Sequence, residues 1–181
     1  DLQGGSYLLL EIDNTPVIEQ KLQNTISLIR THFKEKKIRI TNLSLTNQKI
    51  TFVVENQFKQ QIIDEFNDEN SQINPFYPRF KSHQFDLVDL GNSFELAFSK
   101  QGIVELKTSS QEQALEIVRR RIDEIGTNEP NILKRGNDRV LVELPGLDDP
   151  MRIKSLLGKT ANLSFRFVSN NNQDSFGVEK L

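Results

Sequence analysis

Residues 139–146 read Arg139-Val140-Leu141-Val142-Glu143-Leu144-Pro145-Gly146, and this stretch decides the fold. Its period of two puts Val140, Val142 and Leu144 on one face of a strand, which Pro145-Gly146 ends. Immediately upstream, Asn131 to Arg135 forms a second strand, with Gly136-Asn137-Asp138 supplying hairpin-turn chemistry between the two. Pro130 disfavours the helical region for the residue before it, so Glu129 is expected to be extended. The preceding helix ends at Gly126, the place of a left-handed C-cap, after a stripe of Leu115, Val118, Ile122 and Ile125. With Thr108 or Ser109 as its expected N-cap, this helix runs from about Ser110 to Ile125. Downstream, Asp149 caps a short helix that has Pro150 at its first position and Gly158 beyond its last turn. A final strand, Ala161 to Val168, points Ala161, Leu163, Phe165 and Phe167 one way.

The N-terminal half has the same vocabulary. Ser6 to Asp13 reads as a strand covered on both sides, with Leu8, Leu10 and Ile12 sharing one face. Thr15 is the expected N-cap of a helix with Pro16 at its first position and Ile18, Leu22, Ile26, Ile29 and Phe33 at helical spacing. Ile38 to Leu45 and Lys49 to Glu55 form a hairpin around Thr46-Asn47-Gln48, and Phe58, Ile62 and Phe66 mark a short helix. Phe85 to Leu90 and Phe94 to Ser99 flank Gly91-Asn92 as a second hairpin. No element is assigned between Pro75 and Gln84, where Pro75-Phe76-Tyr77-Pro78 reads as a loop pinned to the core.

Written as elements, the second half is αββαβ, and the first half, counting its opening strand, is βαββαβ. The fold class is therefore α+β, as tandem ferredoxin-like units whose antiparallel sheets carry helices on one face. The expected divisions are residues 1–13 (an opening motif and first strand), 14–100 (an αββαβ-type unit), 101–168 (an αββαβ unit) and 169–181 (the start of a connection).

Composition removes several functions. The 181 residues carry 23 basic and 25 acidic side chains, a net charge of -2 that offers no general attraction for nucleic acid. With no Cys, thiolate nucleophiles, Cys-based zinc sites and disulfides are excluded. No apolar run approaches the ~20 residues of a membrane helix. The opening Asp1-Leu2-Gln3-Gly4-Gly5 lacks an initiator Met and any leader pattern, and is read as the start of a piece cut from a longer chain.

Two blocks carry a family resemblance. One is Asp1-Leu2-Gln3-Gly4-Gly5 followed by an apolar strand ending Glu11-Ile12-Asp13. The other comprises Arg121 through Gly126, Glu129-Pro130, Gly136, Arg139 through Gly146, Asp149, and Leu157 through Arg166, with Gly158 and Phe165 inside it. Together they resemble the first periplasmic domain of the SecD family, accessory subunits of the bacterial protein-export machinery. The region from Asn14 to about Lys100 looks like the segment that longer family members insert between the blocks. Thr127-Asn128 departs from the family pattern, which has two small apolar residues there. The resemblance implies a multi-spanning protein at the periplasmic face of the inner membrane, working with SecF, the SecYEG channel and YajC. It implies export driven by the proton-motive force, with the translocating polypeptide handled by a head that is missing here.

The matched residues are read chiefly as structural. Gly126, Gly136, Gly146 and Gly158 sit at element ends, and Arg121, on the flank of the buried stripe, calls for an acidic partner in Glu129 or Glu143. No catalytic, cofactor or metal residue is assigned. Gly4-Gly5 lacks the third glycine, the lysine and the following helix of a phosphate loop. His32 and His83 stand 51 positions apart with no accompanying carboxylate pattern, and Asp148-Asp149 serves a helix cap. Arg119-Arg120-Arg121 reads as a solvated helix face, because Arg139 to Leu144 lacks the aromatics of an RNA-binding sheet. Two further readings stand beside export: a ligand-binding regulatory module of ferredoxin-like type, and an acylphosphatase-type hydrolase, for which no cradle loop is present.

Overall fold

A computed structural model describes residues 5–126 and 129–146, together with Met151 and Leu157. The expected strand at Ala161–Val168, most of the helix after Asp149, and the connection from Ser169 lie outside the described residues.

In chain order the elements are β1 (Gly5–Glu11), α1 (Thr15–Glu35), β2 (Ile40–Thr46), β3 (Lys49–Val54), α2 (Lys59–Asn67), β4 (Phe76–Tyr77), β5 (Ser82–His83), β6 (Phe85–Asp89), β7 (Phe94–Phe98), α3 (Lys100–Ile125), β8 (Asn131–Arg135) and β9 (Arg139–Pro145). A three-stranded sheet has the order β1-β9-β8, a four-stranded sheet β2-β3-β7-β6, and β4 pairs with β5. All pairings are antiparallel. The α+β class is what the sequence led one to expect.

The four-stranded sheet is two hairpins laid side by side. Asn47 and Gln48, at φ 52° and 59°, make the two-residue turn between β2 and β3, the left-handed pair that matches strand twist. α1 lays its apolar stripe of Ile18, Leu22, Ile29 and Phe33 over this sheet. A run of rings crosses the core from helix to sheet: Phe33 to Phe66 and Phe66 to Phe52 at 6.2 Å between centroids, then Phe52 to Phe94 at 5.5 Å. Each fully buried ring contributes roughly 1.5–3 kcal/mol of transfer free energy. Asn74, buried behind α2, holds the sheet edge: its amide nitrogen donates to the Phe66 and Phe85 carbonyls, and the Phe85 N–H donates back to its oxygen. The Pro75–Gln84 segment is the β4–β5 hairpin, closed by Gln84 N–H to the Pro75 carbonyl at 2.8 Å.

Three expectations are corrected here. β1 does not join the first unit's sheet; it pairs along its length with β9, from Gly5↔Pro145 to Glu11↔Arg139. Its inner residues Leu8 and Leu10 pack with Val140, Val142, Leu144, Ile122 and Leu157, whereas Tyr7 and Leu9 on the other face are exposed, so the strand is covered on one side only. α1 is capped at Asn14, not Thr15; Asp13 supplies the carboxylate that accepts the Thr15 N–H at 2.9 Å.

The third correction concerns α3, which starts ten residues earlier than expected. Ser99 is its N-cap, with Oγ accepting the Gly102 N–H at 2.9 Å. Gly102 and the Thr108-Ser109-Ser110 run have weak helix propensity, but tertiary packing overrides it: Ile103 and Leu106 pack on the first core, Val118 and Ile122 on the second. Glycine at 102 is needed for approach, because a Cβ there would stand 2.1 Å from the Gln84 carbonyl oxygen. One 26-residue helix therefore serves both sheets.

Candidate functional site

The junction of the two units is where chain elements converge. Gln111, buried on α3, donates from Nε2 to the Gly136 carbonyl at 3.0 Å and the Arg139 carbonyl at 2.8 Å, clasping the β8–β9 turn. The same turn accepts the Ile12 N–H at Asp138 O, 2.7 Å away, where β1 gives way to α1. Between them lies a cleft of about 530 Å³ whose lining includes Glu11, Asp13, Asn14, Ile18, Lys107 and Asp138. Asn14 is 7% exposed; its amide nitrogen donates to the Ile12 carbonyl at 3.2 Å, while Oδ1 has no hydrogen-bond partner. Ser110 on α3 is also buried with Oγ unpartnered. The backbone N–H and hydroxyl of Thr15 hold the Asp13 carboxyl below its usual range.

A second cleft, about 430 Å³, opens between the C-terminal end of α1 and α2. Here Glu65 bridges His32 of α1 and Lys36 at its C-cap: His32 Nε2 lies 2.5 Å from Oε2, and Lys36 pairs with Oε1. Burial pushes the Glu65 carboxyl up, but hydrogen bonds and charge from Lys36 and His32 outweigh it, leaving it below the usual range. Sequence spacing hid this pairing, since Glu65 is 33 residues from His32. His83 packs at a tilt against Phe76, 4.8 Å between ring centroids, and its Nε2 lies 3.1 Å from the Asp68 carbonyl oxygen. Among the described residues no three His, Asp or Glu side chains are gathered closely enough for a metal ion.

Among the described residues, those singled out by sequence do not converge on one site. Gly126 is the left-handed cap of α3, at φ 72°. Gly136 lies in the β8–β9 turn and Gly146 just beyond β9. Arg121 is exposed and pairs with Glu124 one turn away at 3.3 Å, not with Glu129 or Glu143. At that exposure the pair is worth only ~0.2–0.5 kcal/mol. Glu143 instead accepts from Asn131 across β8 and β9. Glu129, expected extended before Pro130, has φ 51° and is exposed, so the turn leaving α3 overrides the usual pre-proline preference. Arg139 lies beside Asp138 at 3.6 Å, and Pro145 closes β9 opposite Gly5. Asp1, Leu2, Gly4, Asp149, Gly158, Phe165 and Arg166 lie outside the described residues. Arg119 pairs with Glu116 and Arg120 is exposed, a solvated face.

The sequence has known relatives. The family model described as "Protein translocase subunit SecDF, P1 domain, N-terminal" matches residues 111–170, from Gln111 at the junction through β8 and β9. Protein translocase subunit SecD of Rickettsia conorii is 31% identical over 94% of this chain, and that of Acetobacter pasteurianus 33% over 94%. The chain spans 31% and 32% of the length of these two relatives. No solved structure matches it. The matched block and an alignment that runs over 94% of the chain place it in the SecD family of protein translocase subunits, as its first periplasmic domain.

Proposed function

We propose that this domain is the binding and mechanical-coupling base of a Sec translocase accessory subunit, and that it performs no enzymatic step. The full-length subunit acts at the periplasmic face of the bacterial inner membrane with SecF, SecYEG and YajC, where the proton-motive force promotes export. Proton conduction requires ionisable groups inside membrane helices. Among the described residues no helix is long and apolar enough to cross a membrane. The share of this stretch is to carry movement from the membrane toward the head that handles the emerging polypeptide.

The observation that supports the reading is α3. A single helix packs on both cores, and it is fastened to the inserted unit by the Ser99 cap and the Gly102–Gln84 approach, and to the base by Gln111. Packed interfaces of this kind move as bodies and do not deform continuously. A Gly-Gly-Gly-Ser insertion after Ser109 in the full-length subunit breaks the helix between the cores. The expected result is export slowed severalfold with both sheets still folded by circular dichroism; export at the parental rate would refute coupling through α3. Full export after deletion of residues 14–100 would likewise remove the inserted unit from the mechanism.

A further inference from the structure

We propose that the outer edge of β1 is the docking site of residues 161–168 of this same chain, which add a fourth strand, antiparallel to β1, to the β1-β9-β8 sheet. The inference begins with the direction in which the backbone of β1 points. Ile12 N–H donates to Asp138 O, just beyond the Glu11↔Arg139 pair. By the alternation of an antiparallel ladder, the even-numbered residues of β1 then turn their N–H and C=O groups toward β9, and Tyr7, Leu9 and Glu11 turn theirs away. Among the described residues no strand lies on that side. The edge reads Ser6-Tyr7-Leu8-Leu9-Leu10 with no charge and no proline, and β1 pairs with β9 in unbroken register. An apolar, regular edge of this kind invites another strand. The opposite edge, β8, is blunted by Lys134 and Arg135, and Lys134 pairs with Glu112 of α3 at 3.0 Å.

Chain topology selects the same edge. α3, packed on the second core through Val118 and Ile122, precedes β8, which lies two places across the sheet from β1 with β9 between. Leu157, 8% exposed, packs in that same core, so the connection that follows β9 returns over the same face. β9 runs opposite to β1. A crossover of the same hand on the same face therefore steps the opposite way, from β9 past β1 to its outer edge, and such crossovers are almost always right-handed. From Leu157 to Ala161 the chain can reach about 14 Å, against ~4.8 Å between neighbouring strands.

The alternation of residues 161–168 suits the place. Full overlap, from Ile12 opposite Ala161 to Gly5 opposite Val168, turns Leu163, Phe165 and Phe167 toward the core beside Leu8 and Leu10. Those two are half-buried, whereas Val140, Val142 and Leu144 of β9 are closed to solvent. On the outer face Ser164 then stands beside Leu9 and Arg166 beside Tyr7, both exposed side chains. Coupling through α3 does not depend on this seam, so either can fail alone.

The test uses the whole chain, whose lack of Cys gives engineered pairs no background. Ser164→Cys is combined either with Leu9→Cys or, on the opposite edge, with Leu133→Cys, and each double variant is oxidised mildly. Opposed residues stand ~5.5 Å apart at Cα, within the span of a disulfide. The Leu9 pair should cross-link within the chain and the Leu133 pair should not. In the unsubstituted chain, hydrogen exchange at the Tyr7, Leu9 and Glu11 amides should be slowed as much as at Leu8 and Leu10, whose N–H groups face β9. Phe165→Asp, which places a charge against the core, should remove the protection of the three edge amides, and Ser164→Asp, facing outward, should keep it. Cross-linking of the Leu133 pair, failure of the Leu9 pair, or edge amides that exchange as in an unstructured peptide would overturn the proposal. So would protection that survives Phe165→Asp.

Discussion

Replacing Gly102 by Ala should destabilise the domain, although helix propensity alone says the reverse. In an exposed helix interior the exchange would be worth about 1 kcal/mol of stabilisation. At this position the new Cβ would lie 2.1 Å from the Gln84 carbonyl oxygen, 2.9 Å from its carbon and 3.2 Å from Cα, so backbone has to move. An ordinary contact needs over an ångström more, and overpacking of that order costs about 1–3 kcal/mol. The same carbonyl accepts the Ser99 N–H at 3.0 Å, and displacement of either partner also loosens the Ser99 cap on Gly102. The hydrogen bond and the cap are worth ~1 kcal/mol each. Set against the propensity gain, the net loss is about 2–4 kcal/mol, or roughly 4–16 °C in melting temperature for a chain of this size. Urea and thermal unfolding of the wild type and Gly102→Ala read it directly. A variant as stable as the wild type, or more so, would refute the close approach and with it the fastening of α3 to the Gln84 backbone.

Two further outcomes are expected. Asn74→Ala should cost about 2–4 kcal/mol in urea unfolding, because it strands buried donor and acceptor groups of Phe66 and Phe85. Because the folded Glu65 carboxyl is held below its unfolded value, its contribution is present above the ordinary carboxylate pKa and is lost as pH falls through the depressed one. Stability of the wild type should therefore drop more steeply on acidification than that of Glu65→Gln, and parallel acid limbs would discard the Lys36–Glu65–His32 bridge.

What was legible in the sequence was whatever local chemistry decides. The alternation of Val140, Val142 and Leu144, the helical stripe from Ile18 to Phe33 and the cap at Gly126 each depend on neighbours within a few residues, and each stands in the structure. What escaped depends on distant partners. Nothing within Leu8 to Ile12 says that its strand pairs with residues 139–145, and nothing near Gly102 announces Gln84. The start of α3 was hidden because weak formers at 108–110 look like a boundary until two cores are seen to grip the helix. Both clefts were illegible for the same reason: the walls of one come from residues 11–18, 107 and 138, and of the other from α1, α2 and the loop beyond.

The pairing of Gly5 with Pro145 has a consequence for biogenesis. At ~5–20 residues per second of synthesis, β1 waits roughly seven to thirty seconds for β9 to leave the ribosome. Everything from Asn14 to Phe98 can fold during that interval, since its phenylalanine core draws on no residue of β1 or β9. Once folded, it draws Asn14 and Lys100 into fixed relation and shortens the effective loop that β1 and β9 must close, a saving of about 1 kcal/mol by loop-entropy scaling. The four-stranded unit then acts as an assembly jig, holding two ends of the other sheet ready to meet.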